Sequence, residues 1–236
     1  GGSVVLIEDI TERKSAEARI SHLARYDSLT GLPNRMFLRE QMEKALAAAG
    51  ANACAVMFVD LDQFKHVNDT LGHPRGDLLL RAVADRLRRL VRATDIVARF
   101  GGDEFVILQT PIAGSEDAAA LARRIVASLS DTYEIDGHQV VIGASIGIAM
   151  SPRDATGPDH LLKIADMALY WAKADQRGTW RFFDPEMDIR AHSRRTLELD
   201  LRNARNNNSG QGDDQPLIEL RTRRISTCEA LLRWPQ

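Results

Sequence analysis

Apolar residues recur along this chain at two periods, and the changes between them lay out its elements. Val4-Val5-Leu6-Ile7 is a short run of strand type, followed by a charged stretch to Lys14 and then by helix formers from Ser15 to Arg25, with Ile20 and Leu23 on one side. Gly31 and Pro33 punctuate the chain, and Asn34 is placed to cap a helix running through Phe37, Met42 and Leu46 to Gly50. Ala53 to Val59 is an apolar run of strand length that delivers Asp60-Leu-Asp62 at its C-terminal end. Asp62 reads as the N-cap of a short helix over 63–70, which leaves Asp60 for a ligand. After a turn over 72–77, Leu80, Val83, Ala84, Leu87, Leu90 and Val91 recur at helical spacing with arginines on the other face.

A hairpin follows. A strand over 96–100, the Gly101-Gly102 turn and a return strand over 104–109 place Asp103 and Glu104 at the tip. Ser115 to Ser130 reads as an Ala-rich helix capped by Ser115, with Glu116 and Asp117 favouring the macrodipole in its first turn. Tyr133 to Met150 carries a turn at Asp136-Gly137, and Val140 to Ala149 is apolar enough for a central strand. A helix over 159–175 places Lys173 and Arg177 four residues apart, on one face if the helix persists that far. An edge strand over 180–183, a charged helix over 185–205 and a polar linker over 206–214 complete the pattern. The predicted fold class is α/β, with a mixed central sheet, an antiparallel hairpin near its middle and helices on both faces.

Composition narrows the function classes. The 236 residues carry 31 basic against 33 acidic side chains, a balance that excludes a general nucleic-acid or membrane-surface binder and leaves room for a small polyanionic ligand. Two cysteines give neither a disulfide framework nor a zinc spacing, which fits a reducing cytoplasm. No apolar run reaches membrane-spanning length, so no direct membrane insertion is expected of this chain. The lack of an initiator Met reads as an excerpt of a longer protein, one with room for an inner-membrane tether upstream. Chemistry concentrates at Gly101-Gly-Asp-Glu104. The glycines let backbone approach a ligand closely, and Asp103 and Glu104 are suited to holding a divalent metal over phosphate oxygens.

Three ordered motifs carry a resemblance. Asp27-x-Leu-Thr-Gly-Leu-Pro-Asn-Arg35, Phe58-Val-Asp-Leu-Asp-Gln-Phe-Lys65 and Gly101-Gly-Asp-Glu-Phe105 make residues 27–184 similar to the GGDEF family of diguanylate cyclases. The resemblance implies a palm-like sheet related to other nucleotide cyclases, and condensation of two GTP into cyclic di-GMP with loss of two pyrophosphates. It implies Mg²⁺, two ions per active half-site with Mn²⁺ as a substitute, held by Asp60, the Leu61 carbonyl, Asp103 and Glu104. Glu104 either completes the metal site or helps deprotonate the attacking 3′-hydroxyl. Lys65 neutralises charge in the transition state, Asn68 and Asp77 match guanine contacts, and His73, Gly101 and Gly102 match substrate-site positions. Lys173 and Arg177 match a phosphate-binding pair, although Gln176 and Gly178 stand where the family has glycine and asparagine.

Arg92-Ala-Thr-Asp95 matches the family's RxxD inhibitory site for the product. Each domain holds one GTP, so a homodimer is implied. Residues 1–9 resemble the end of a PAS sensor domain, 10–26 its connecting helix, and 215–236, after the helix and linker over 185–214, the opening of an EAL phosphodiesterase domain. Glu229 matches a metal ligand of that second family, but the remaining ligands are absent, so no hydrolase activity is expected. The second reading is a non-catalytic module that senses GTP or cyclic di-GMP and regulates a downstream phosphodiesterase.

Overall fold

Strand β1 (Ala53–Asp62) forms the spine of a five-stranded sheet, because both of its faces are apolar and both of its edges are paired. The computed structural model describes residues 23–48, 53–187, 200 and 211–233. The chain divides into two units, Gly1–Asp184 and Pro185–Gln236. The expected PAS remnant, the connecting helix up to residue 22 and nearly all of the helix expected over 185–205 lie outside the described residues.

The first unit contains a five-stranded sheet in the order β2-β3-β1-β6-β7, built with β2 (Ile96–Gly101), β3 (Glu104–Ile112), β6 (Gly143–Ser151) and β7 (Trp180–Phe182). Only the β6–β7 pair is parallel; the other three are antiparallel. Side-chain alternation along β1 sends Ala55, Met57, Val59 and Leu61 to one face, and Cys54, Val56 and Phe58 to the other. The first face is covered by α3 (His73–Leu90) and α4 (Ser115–Leu129), which bury Leu79, Leu80, Val83, Leu87, Leu121, Ile125 and Leu129. The second is covered by α1 (Arg35–Ala48) and α5 (Pro158–Asp175) through Leu38, Met42, Leu161, Leu162 and Leu169. Each such side chain contributes about 1.5–3 kcal/mol on burial, so two apolar layers rather than hydrogen bonding hold the sandwich. This is the mixed α/β architecture expected from the sequence.

Local chemistry sets most element ends. Asn34 caps α1 as expected, its Oδ1 accepting the Phe37 N–H at 3.0 Å. Two expected caps do not form. Ser115 lies inside α4, and the Asp117 carboxylate instead reaches back to the Ala113 N–H at 2.8 Å. Helix α2 (Phe64–Leu71) starts after Gln63, which is left-handed at φ 63, and makes no side-chain cap; Asp62 is drawn into the sheet instead. The turn expected over 72–77 is shorter, because His73 and Pro74 already form the first turn of α3. The central strand expected from Val140 starts at Gly143. Val140 itself closes a separate hairpin of β4 (Tyr133–Ile135) and β5 (His138–Val140) around the Asp136-Gly137 turn.

The second unit contains an antiparallel pair, β8 (Gln211–Glu219) and β9 (Arg224–Arg233). The polar linker expected up to residue 214 therefore gives way to a strand at Gln211. Glu229 stands on β9, in register with Gln215.

Candidate active site

Asp60 and Glu104 are cross-strand partners in the β1–β3 register, and Asp103 sits one residue before Glu104 at the hairpin tip. The turn is short because Gly101 pairs directly with Glu104, leaving Gly102 and Asp103 at the corner; Gly102 takes φ 51, which a side chain would resist. The Asp103 carbonyl accepts the Leu61 N–H at 3.4 Å, which lays the tip against the end of β1. From α5, Lys173 Nζ reaches Asp60 Oδ1 at 2.7 Å.

Charge in this corner is unbalanced. Burial raises the Asp60 carboxyl above its ordinary range; Lys173 opposes the shift, while Asp103 and Asp62 add to it. Glu104 is raised first by burial and then by Asp60, Asp166 and Asp103, again against Lys173. Asp166, on α5, is raised by burial with Lys173 opposing. The carboxylates therefore outweigh the nearby ammonium and favour a further cation. Among the described residues, no three His, Cys, Asp or Glu side chains form a metal cage by themselves. The donor set still fits Mg²⁺, a hard ion that takes one or two carboxylates and completes its octahedron with water and substrate phosphates. Asp60, Asp103, Glu104 and the Leu61 carbonyl are such donors.

Arg99 was not singled out from the sequence as a site residue, yet it braces the hairpin. Its Nε and Nη2 donate to the Gly102 carbonyl at 3.0 and 2.7 Å, and its Nη1 donates to Asp27 Oδ1 at 3.0 Å. Asp27 also accepts the Thr30 N–H at 2.9 Å and the Thr30 hydroxyl at 2.6 Å. The start of the domain is thereby tied to the hairpin turn across 72 residues of sequence. The only hint in the sequence is that both residues flank glycine-bearing turns.

The expected guanine residues lie on the other face of the sheet. Asn68, on α2, places its Oδ1 in a buried position with no hydrogen-bond partner among the described residues. It packs against Gly76 of α3, and the exposed Asp77 follows directly. His73 and Lys65 are exposed in the first turns of α3 and α2. The Lys173 and Arg177 pair does not share a helix face. Helix α5 ends at Asp175, Gln176 is extended, and Arg177 belongs to the loop that follows.

Arg92 and Asp95 line a separate cavity of about 450 Å³ together with Leu32, Phe37, Gln41 and Arg88. Asp95 is also a structural acceptor, for the Arg92 N–H at 2.9 Å and the Thr110 N–H at 3.2 Å. A further cavity of about 410 Å³, not anticipated from the sequence, borders Glu104 and is lined by Arg35, Phe58, Phe100, Lys163 and Asp166.

The family model described as diguanylate cyclase, GGDEF domain, matches residues 24–179. The bifunctional diguanylate cyclase/cyclic di-GMP phosphodiesterase MucR of Pseudomonas aeruginosa is 43% identical over 228 residues, covering 95% of this chain and 33% of MucR. The cyclic di-GMP phosphodiesterase NbdA of the same organism is 38% identical over 221 residues, covering 93% of this chain and 28% of NbdA. The chain spans about 29% of the length of the first curated relatives it matches. Among solved structures, an N-terminally truncated TpbB from Pseudomonas aeruginosa comprising only the GGDEF domain superposes with a TM-score of 0.69 at 42% identity, over 71% of this chain and 99% of that one. No helix among the described residues is long and apolar enough to cross a membrane.

Proposed function

Because the chain belongs to the diguanylate cyclase GGDEF domain family, we propose that it condenses two GTP molecules into cyclic di-GMP with release of two pyrophosphates. The observation that carries this reading is the carboxylate corner: Asp60 and Glu104 opposite one another, Asp103 beside them, and Lys173 paired with Asp60 against their charge. In each half-reaction, a 3′-oxygen attacks the α-phosphorus of the other GTP. The bond to the β-phosphate oxygen breaks, pyrophosphate leaves, and the hydroxyl proton passes to a base. Asp60, the Leu61 carbonyl and Asp103, with Glu104 as a further donor, would hold Mg²⁺, which would supply Lewis-acid polarisation of the phosphate oxygens.

The remaining roles belong to the chain's own residues. Glu104 either completes that donor set or takes the proton of the attacking 3′-hydroxyl as base. Lys173, Arg177 and Lys65 bind phosphate charge, and Asn68 and Asp77 select guanine, with His73, Gly101 and Gly102 bounding the substrate. One domain presents one GTP, so two copies must face each other and the working unit is a homodimer. Product bound at Arg92 and Asp95 acts as a brake.

The test is turnover of GTP with Mg²⁺, followed across protein concentration. Cyclic di-GMP is expected to form at a rate rising faster than linearly with protein, and Asp103→Ala and Glu104→Ala to abolish it. No product at any concentration, with Arg92→Ala included to release the brake, overturns the reading.

A further inference from the structure

Asp62 is the buried charged residue that the proposed chemistry leaves unused. It is only 7% exposed, and its neighbour Ser145 is fully buried. The Ser145 hydroxyl lies 2.9 Å from Asp62 Oδ1 and 3.0 Å from Oδ2, and donates to this carboxylate. The Gly178 N–H donates to Asp62 Oδ2 at 2.9 Å, with Ser145 Oγ also within 3.2 Å. Space is kept for this arrangement, because a Cβ on Gly143, which pairs with Asp62, would come within 2.9 Å of Oδ2. Gly178 takes φ +74, a left-handed conformation that turns its N–H inward right after Arg177. The next carbonyl, that of Thr179, accepts the Ile146 N–H at 2.9 Å, so the loop is pinned at two successive residues.

We infer that Asp62 is a positioning residue for the phosphate-binding Arg177: its carboxylate fastens the arginine's loop to the strand that carries Asp60. This inference rests on the reading of the domain as a GTP-binding cyclase. Arg177 lies beyond the end of α5 and has no helix to aim it. What fixes its backbone is the Gly178 N–H, and what holds that N–H is a carboxylate two residues from Asp60. Gly178 stands where the family has asparagine. The left-handed glycine and its bond to Asp62 define how this chain leaves the helix.

The role is tested by the binding of 3′-deoxy-GTP, which lacks the attacking hydroxyl and is not consumed, and of GMP, which lacks the outer phosphates, to the full chain in Mg²⁺. Arg177→Ala and Asp62→Ala are each expected to weaken 3′-deoxy-GTP roughly 10- to 100-fold, the range for losing a charge-assisted contact, and to leave GMP unchanged. The double variant is expected to bind no more weakly than the weaker single one, since Asp62 acts only through Arg177. Additive losses, or GMP weakened as much as 3′-deoxy-GTP, overturn the positioning role alone. A wild-type chain that binds neither nucleotide overturns the cyclase reading and this role with it.

Should Asp62→Ala not fold, Gly178→Ala reaches the same loop from its exposed side. No atom lies within 4 Å of the added Cβ, so only the backbone conformation is strained. It is expected to show the same selective loss; unchanged 3′-deoxy-GTP binding overturns the inference.

Discussion

Replacing Gly76 by alanine separates guanine recognition from stability. The added Cβ would stand 1.9 Å from Asn68 Oδ1, 3.0 Å from Asn68 Cγ and 3.3 Å from Phe64 Cζ. The first contact is impossible, and the group that yields is the end of a short side chain rather than backbone. Moving the carboxamide off its rotamer costs about 0.5–1.5 kcal/mol. Alanine in a helix interior returns about 0.8–1 kcal/mol over glycine, so the two terms nearly cancel and the fold is expected to keep its melting temperature within a few degrees. Recognition has no such offset. A displaced Asn68 leaves a buried polar edge of guanine unpaired, at about 1–3 kcal/mol, which is roughly 5- to 150-fold in GTP affinity. Thermal melts and GTP titrations of Gly76→Ala check both halves. Wild-type GTP affinity in a folded variant refutes the placement of Asn68 in the guanine site, and a large loss of stability refutes the claim that only the carboxamide yields.

Other positions give further tests. At Gly147 the added Cβ would meet backbone, 2.0 Å from the Ala165 carbonyl and 2.1 Å from the Leu169 nitrogen; Gly147→Ala is expected to push α5 off the sheet and cost at least about 3 kcal/mol in urea unfolding. Burial alone would raise the Asp27 carboxyl, but the Thr30 hydroxyl and N–H and the Arg99 guanidinium hold it below the usual aspartate range. Its contribution to stability is therefore present above the ordinary aspartate pKa and lost as pH falls through the depressed one. Unfolding free energies over roughly pH 2 to 5 are expected to rise less steeply with pH in Asp27→Asn than in the wild type. Lys173 opposes the burial that raises Asp60, so Lys173→Met is expected to move the Asp60 carboxyl titration, followed by NMR, to higher pH; an unchanged midpoint refutes the pairing.

Local patterns were legible in the sequence where local physics decides them. Asn34 caps α1 because its partner is three residues away, and the hairpin forms where two glycines meet β-forming residues. The apolar runs gave the α/β class and the helices on both faces. Asp62 misled because an aspartate between strand and helix is a good cap on local grounds; the partners that win, Ser145 and Gly178, lie 83 and 116 residues away. Lys173 and Arg177 would share a helix face only if the helix ran past residue 175, and spacing alone does not reveal that α5 stops at Asp175. The brace from Arg99 to Asp27 was hidden for a similar reason, since a half-buried ion pair between distant turns has no period to show. Asp60, Asp103 and Glu104 stood out by their places at a strand end and a glycine turn, resemblance supplied their roles, and the structure adds that Asp60 and Glu104 face each other across two strands.

The bond between Asp62 and Gly178 also orders events during synthesis. The strand bearing Asp60 and Asp62 leaves the ribosome long before residue 178 does, and until then Asp62 lacks the Gly178 N–H, one of the donors to its Oδ2. A chain interrupted after the hairpin but before that glycine would carry Asp60, Asp103 and Glu104, yet it would lack the tether of the Arg177 loop. Under the proposed function, such a partial copy would stand without its phosphate-binding loop, because the segment that completes the site is made near the end of the domain.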